Sequence, residues 1–234
     1  MRVMLATPSL DGVPSIEYQT SVMRTNMLLT ANGIQFDLNF IRGDPFIDKA
    51  RNGLIQGFLD SPQKQDIIFF VDDDEGWDEH SFLRMCVDPH EFVAAAVPKK
   101  SDTGEFNNVV LDLMPNNDCI IENGLIRSKQ VGSGFIRLRR SAVEKMIKAY
   151  PRQYNPGDGG PYPLHYSLFD AHVEWPTDPD KPGQFWGEDL EFCRKWVALG
   201  EYVWIDPNVH MQHVGRKVWN ANFLQFLQKS CKVV

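Results

Sequence analysis

Between Asp66 and Asp74 the chain reads Asp-Ile-Ile-Phe-Phe-Val-Asp-Asp-Asp, an apolar run closed by three consecutive carboxylates. A run with no alternation has no side to turn to water, so it must be covered on both faces. That is the situation of a strand inside a parallel sheet. Parallel neighbours in turn need long crossovers, usually helices. The flanking sequence offers them. Residues 3–7 read as a first strand, ended by Pro8, and residues 16–31 have helix periodicity that stops at Asn32-Gly33. Residues 34–41 alternate like a strand, and residues 49–59 place Ala50, Leu54, Phe58 and Leu59 on one helical face. After the acidic triplet, residues 78–87 read as a short helix and residues 92–97 as another apolar strand. Strand and helix in strict alternation predict a parallel sheet with right-handed crossovers.

The second half reads differently. Residues 109–114 and 120–127, separated by Pro115-Asn116-Asn117-Asp118, predict an antiparallel hairpin, with a further strand over 130–138 and a helix over 141–149. Two loose stretches follow, 151–163, rich in Gly and Pro, and 175–183, rich in Pro and Asp. Leu190, Cys193, Trp196 and Val197 mark a helix ending at Gly200; residues 203–206 and 209–212 read as short strands and 218–229 as a closing helix. No repeat and no linker divides the chain. The expectation is one α/β domain over 1–234, a nucleotide-binding half (1–100) followed by a loop-rich half (101–234) that covers it.

Composition narrows the function classes. A chain of 234 residues with 43% hydrophobic residues can bury a sizeable core. The net charge of -7 argues against binding nucleic acid through phosphate contacts. No apolar run approaches the roughly 20 residues that span a bilayer, and the opening MRVMLATPSLDG lacks a signal-peptide pattern. Cys86, Cys119, Cys193 and Cys231 lack metal-ligand spacing, so reduced structural thiols and a cytoplasmic location are expected.

Two readings stand for Asp72-Asp73-Asp74. In one it is a solvated acidic turn, with Asp78 capping the next helix. In the other, Asp72 and Asp74, two positions apart at the carboxyl end of a buried strand, reach one divalent cation from the same side. Ligands bind at that edge of open parallel sheets, and hard cations such as Mg²⁺ or Mn²⁺ choose carboxylate and phosphate oxygens. Three adjacent like charges repel, and a turn needs only one; this favours the cation.

Gly187-Glu188-Asp189 opens the helix of Leu190 and Cys193, where acids suit the macrodipole. The functional alternative makes one carboxylate a general base and sets the other against an acceptor. In His210-Met-Gln-His213, alternation puts His210 and Gln212 opposite Val209 and Met211, so the two histidines are not expected to share a site. His213 ends the strand and is the better ligand candidate, with a core or surface position as the competing reading.

Several segments together resemble the GT-A superfamily of glycosyltransferases, above all its compact bacterial and viral members. They are Ala50-Arg51-Asn52, the run from Ile67 to Asp74, Val97-Pro98-Lys99-Lys100 and Gly132-Ser-Gly134-Phe135. The series continues with Trp186-Gly-Glu188-Asp189-Leu-Glu-Phe192-Cys193, Val203-Trp-Ile-Asp206-Pro207 and His213-Val-Gly215. The resemblance spreads over residues 1–216. It implies a Rossmann-like α/β fold with a mixed, mostly parallel sheet flanked by helices. The activity it implies is transfer of a sugar from a nucleotide-sugar donor to a glycan or other hydroxyl acceptor, with Mn²⁺ or Mg²⁺ as cofactor. Thr7 and Pro8 would face the base and ribose, and Arg51 would hold base or diphosphate with Asn52 nearby. Asp72 would contact the ribose or metal; Asp74 and His213 would bind the metal. Lys99 would approach the donor sugar or acceptor, and Asp189 would be the base, with Glu188 beside it. Asp73 stands where the family has a neutral residue, so the ligand register could shift by one.

A direct displacement with an acid on the acceptor side favours inversion of the anomeric centre. Two other classes compete. A haloacid-dehalogenase-type phosphatase or phosphotransferase would carry its aspartates on the first strand, which here ends Ala6-Thr7-Pro8. A non-catalytic sugar-nucleotide-binding module would lack a ligand or the base, yet Asp74, Asp189 and His213 are all present.

Overall fold

A computed structural model describes residues 1–157 and 159–230, so the thiol expected of Cys231 lies outside the described residues. The chain begins β1 (Arg2–Ser9), α1 (Ile16–Ala31), β2 (Gln35–Arg42), α2 (Ile47–Asp60) and β3 (Ile67–Val71). Then come β4 (Glu75–Trp77), α3 (Glu79–Val87), β5 (Phe92–Ala94), β6 (Val110–Leu111), β7 (Ile121–Glu122), β8 (Leu125–Gln130) and β9 (Phe135–Arg139). Helix α4 (Arg140–Ala149) leads to β10 (Gln153–Tyr154), β11 (His165–Tyr166), β12 (His172–Glu174) and β13 (Gln184–Trp186). The last elements are α5 (Glu188–Ala198), β14 (Val203–Ile205), β15 (His210–Val214), β16 (Val218–Asn222) and α6 (Phe223–Ser230).

Among the described residues, nine strands form the central sheet in the order β2-β1-β3-β9-β5-β14-β8-β6, with β7 on β8. The fold is mixed α/β. Only β8 and β9 run against the other strands, so the sheet is mostly parallel in direction. Successive residues of a strand face opposite sides, and both sides are covered. Val3, Leu5, Ile67, Phe69 and Val71 pack with Tyr18, Leu29, Phe82 and Met85 of α1 and α3. Met4, Ala6, Ile68 and Phe70 pack with Leu54 and Phe58 of α2, Met146 of α4 and Trp196 of α5. Each buried Val, Leu, Ile, Phe or Met among them contributes about 1.5–3 kcal/mol.

The expected run of parallel crossovers holds for β1, β2 and β3 and then stops. Strand β9, from the second half of the chain, lies antiparallel between β3 and β5. Strand order reverses between β1 and β3, so the crevice beyond their carboxyl ends is where a ligand belongs.

Three other expectations are corrected. The stretch 120–127 is two strands, β7 and β8, turned at Asn123-Gly124, whose φ of 50° and 79° make a tight hairpin turn. Residues 131–134 are a loop rather than the start of β9. Residues 218–222 are strand β16 rather than helix, because they complete a three-stranded sheet, β16-β15-β4. Among the described residues no helix is long and apolar enough to cross a membrane.

Candidate active site

Past β3 the acidic run turns sharply. The amide of Asp72 donates to Gly134 O at 3.0 Å and that of Glu75 returns to Asp72 O at 3.2 Å. The chain then enters β4, which is fixed on α1: Trp77 Nε1 donates to Thr25 Oγ1 at 2.9 Å, and Trp77 N donates to Ser21 Oγ at 2.9 Å. The other edge of β4 pairs with β15, setting Glu75 opposite His213 and Gly76 opposite Gln212. The amide of Val214 donates to Asp74 O at 2.8 Å and closes the corner.

This pairing brings Asp74, Glu75 and His213 together, with one potential ligand atom from each lying within 4.8 Å of the others. His213 Nδ1 lies 2.7 Å from Pro98 O. A carbonyl only accepts, so Nδ1 carries the proton and a neutral ring presents a bare Nε2. That Nε2 lies 3.7 Å from Asp74 Oδ1. Glu75 is 1% exposed, and its Oε2 has no hydrogen-bond partner among the described residues. Its Oε1 packs over Gly134, where a Cβ would stand 2.2 Å away. Burial, reinforced by the charges of Asp72 and Asp74, holds the Glu75 carboxyl well above the usual range. An orphaned buried carboxylate oxygen beside two more acids costs about 1–3 kcal/mol if nothing meets it. Two carboxylates and an imidazole whose other nitrogen is already engaged fit a divalent cation in donor chemistry and in the outer hydrogen bond.

The other members of the acidic run have different partners. Asp73 accepts from Ser9 Oγ on β1; burial raises its carboxyl and that hydrogen bond opposes the rise. Asp72 Oδ1 accepts from Arg51 Nη2 at 2.8 Å, and Arg51 Nη1 donates to Glu188. Arg51 is 4% exposed. Burial alone would lower its guanidinium, but Asp72 and Glu188 hold it raised. Burial raises the Glu188 carboxyl against the pull of Arg51, with Asp189 adding to the rise. Asp189, one position on in the first turn of α5, accepts from Asn108 Nδ2 at 3.0 Å and from the amide of Leu190 at 2.7 Å.

Arg51, Asp72, Glu75, Glu188, Asp189 and His213 thus line one cleft of about 370 Å³, floored by Gly132-Ser133-Gly134. Ser133 Oγ, buried there, has no hydrogen-bond partner among the described residues.

The remaining candidates lie elsewhere. Thr7 and Pro8 are inside β1 and buried, and the Thr7 hydroxyl pairs with Tyr18 OH at 2.6 Å. Asn52 is 1% exposed; its Oδ1 accepts from the amides of Leu168 and Phe169 and its Nδ2 donates to Phe169 O, so it anchors that loop. Lys99 pairs with Glu105 at 2.8 Å, both exposed, whereas Lys100 reaches Asp74. Glu75, Lys100 and Asn108 are the residues that sequence reasoning missed. For Glu75 a signal existed: the acidic run continues into it, and period 2 sets it on the same side as the buried Trp77.

Neither a protein-family model nor a curated protein matches the chain. Among solved structures, A197 from STIV matches over 95% of each chain at 15% identity, with a TM-score of 0.51. That likeness shows a shared fold and nothing of chemistry. Two looser ones are a glycosyltransferase involved in the glycosylation of the major capsid of PBCV-1 and the inositol-1-phosphate CTP transferase from T. maritima. The first is 10% identical, covering 69% of this chain and 71% of that one at a TM-score of 0.35. The second is 10% identical, covering 91% and 88% at 0.43. TM-scores this low carry no argument about this chain.

Proposed function

We propose that the chain is a divalent-cation-dependent glycosyltransferase of the GT-A kind, moving a sugar from a nucleotide-sugar donor to an acceptor hydroxyl. One observation carries the reading. Glu75 and His213 line the same cleft as a pair of carboxylates at a helix start (Glu188, Asp189), and Asp74 completes a hard-donor cluster with the first two. A diphosphate needs the first and an acceptor hydroxyl needs the second.

When bound, a cation held by Asp74, Glu75 and His213 supplies charge neutralisation for a diphosphate leaving group. The chain's own groups do the rest. Arg51 fixes Asp72 and Glu188 from beneath, so neither carboxylate has to order itself when ligands arrive. Asp189, held by Asn108, accepts the proton of the acceptor hydroxyl as that oxygen attacks the anomeric carbon. Backside attack on that carbon inverts its configuration. In this reading residues 1–100 supply most of the donor side and residues 101–234 the acceptor side, in one domain.

The test is a thermal-shift screen with UDP-, GDP- and dTDP-sugars, each with Mn²⁺, Mg²⁺ or chelator, followed by assay of nucleoside diphosphate release. A ligand at 100-fold over its Kd adds about 2.7 kcal/mol, an upward shift of about 5–10 °C for a chain this long. A chelator-sensitive shift confined to one nucleotide, with turnover on an added hydroxyl acceptor, supports the proposal. Phosphate release from simple esters without sugar-nucleotide turnover would make it a phosphohydrolase. Tight binding with no turnover on any acceptor would make it a binding module.

A further inference from the structure

The cation cluster already has a cation in it. Lys100 lays its aliphatic stem across Gly215, where a Cβ would come within 3.2 Å of Lys100 Cδ, and sets its ammonium on Asp74 Oδ2. The other oxygen of the same carboxylate faces His213 Nε2. The ammonium therefore competes for an oxygen that a divalent ion would use. The rest of the 99–105 loop is held independently: Lys99 N donates to Glu105 O at 2.9 Å, Lys217 pairs with Asp102, and Trp219 Nε1 donates to Asp102 at 3.2 Å. Lys100 can thus leave Asp74 by turning its own side chain while the loop stays fastened.

We propose that Lys100 is the resident counter-cation of this cluster, displaced from Asp74 by the divalent ion and then delivered to the phosphate oxygens of the nucleoside diphosphate that shares the ion. This rests on the cation-dependent transferase reading above and adds a diphosphate-binding residue to it. A lysine serves both states because its ammonium is a mobile point charge on a flexible stem. In the cation-free state it stops the acidic cluster from repelling itself. In the loaded state it adds a charge-assisted hydrogen bond to the diphosphate.

Lys100→Met keeps the stem on Gly215 and removes the charge. Lys217→Met removes a neighbouring charge that rests on Asp102 instead. Both side chains are substantially exposed, at 39% and 53%, so neither variant is expected to disturb folding. Binding of Mn²⁺ alone, read from the electron paramagnetic resonance of the free ion, is expected to tighten about two- to fivefold in K100M, the range of an exposed ion pair, and to hold near wild type in K217M. With Mn²⁺ saturating, UDP and GDP are titrated by calorimetry. Whichever binds wild type is expected to bind K100M about fivefold or more weakly. The opposite signs are the signature. Unchanged or weaker Mn²⁺ binding in K100M overturns the counter-cation role, and undiminished nucleotide binding overturns the delivery step. A wild-type protein that binds no Mn²⁺ at all defeats the cation site itself, a result distinct from either.

Discussion

Replacing Glu75 with Gln keeps the side chain's shape and removes a carboxylate that the fold tolerates poorly without a cation. Glu75 is buried against Gly134 with Oε2 unpartnered, and its carboxyl is held well above the ordinary value by burial and by Asp72 and Asp74. The sign follows from proton linkage. A group with a raised folded-state pKa makes the folded protein bind more protons than the unfolded chain, so its favourable contribution is complete below the unfolded value, about 4.3. That contribution is lost as pH rises through the raised folded value. Without cation, wild type therefore loses stability across that window while E75Q does not. The gap should widen with pH toward the cost of an unmet buried polar atom, about 1–3 kcal/mol, which is about 2–12 °C in Tm for a chain of this size. Saturating Mn²⁺ reverses the order, because the carboxylate is a ligand and the amide a poor one. At 100-fold over its Kd the ion gives wild type about 2.7 kcal/mol that the variant lacks. Scanning calorimetry of both proteins from about pH 5 to about pH 8, in chelator and in Mn²⁺, reads every arm. Equal rises of both melting points in Mn²⁺, or an E75Q protein that melts below wild type in chelator at every pH, would refute the role of Glu75 as a cation ligand.

Three further substitutions separate framework from chemistry. Arg51→Ala strands Asp72 and Glu188 without their counter-charge; breaking a buried pair costs about 3–5 kcal/mol. The 33% exposure of the Asp72 side chain trims this, so urea unfolding is expected to show a loss of about 2–4 kcal/mol. Asn52→Ala frees the amides of Leu168 and Phe169 and should lower unfolding stability by about 1–3 kcal/mol while leaving nucleotide affinity unchanged in calorimetry. Asp189→Asn keeps the fold's packing and should leave Tm near wild type, yet slow sugar transfer by about 100-fold or more in a product-release assay. Near-normal transfer would remove Asp189 from the base role.

The parts of the fold that sequence alone revealed are those fixed by local chemistry. Helix α1 begins where the Ser15 hydroxyl accepts from the amide of Tyr18 at 3.1 Å, and it ends at Asn32 and Gly33, the latter at φ 69°. Both ends can be read from residue types. The buried β3 and the amphipathic face of α2 are legible for the same reason. What escaped depends on partners distant in sequence. Nothing in residues 135–139 announces that they will lie antiparallel between β3 and β5. Arg51 and Asn52 sit on the polar side of α2, yet both are buried, since Asp72, Glu188 and the loop at Leu168 close over that side as well. Asn123-Gly124 was a readable turn signal that the apolar pattern on either side concealed.

The acidic cluster shows why a site can be half legible. Asp74 and Glu75 are neighbours in sequence at the end of β3, but His213 joins them only through the pairing of β15 with β4. Side chains alternate along a strand, so a slip of one residue would set Gln212 opposite Glu75 and turn His213 to the other face. Three contacts oppose such a slip: the Val214 amide on Asp74 O, the Trp77 indole on Thr25, and Met211, fully buried opposite Trp77. None of them engages a side-chain atom that would ligate the ion. Their burial and hydrogen bonding nonetheless hold an imidazole across from a carboxylate within reach of one ion. The affinity of the cluster for a cation is therefore tied to the stability of a three-stranded sheet outside the central one, and substitutions at Thr25 or Met211 are expected to weaken Mn²⁺ binding without altering a single ligand.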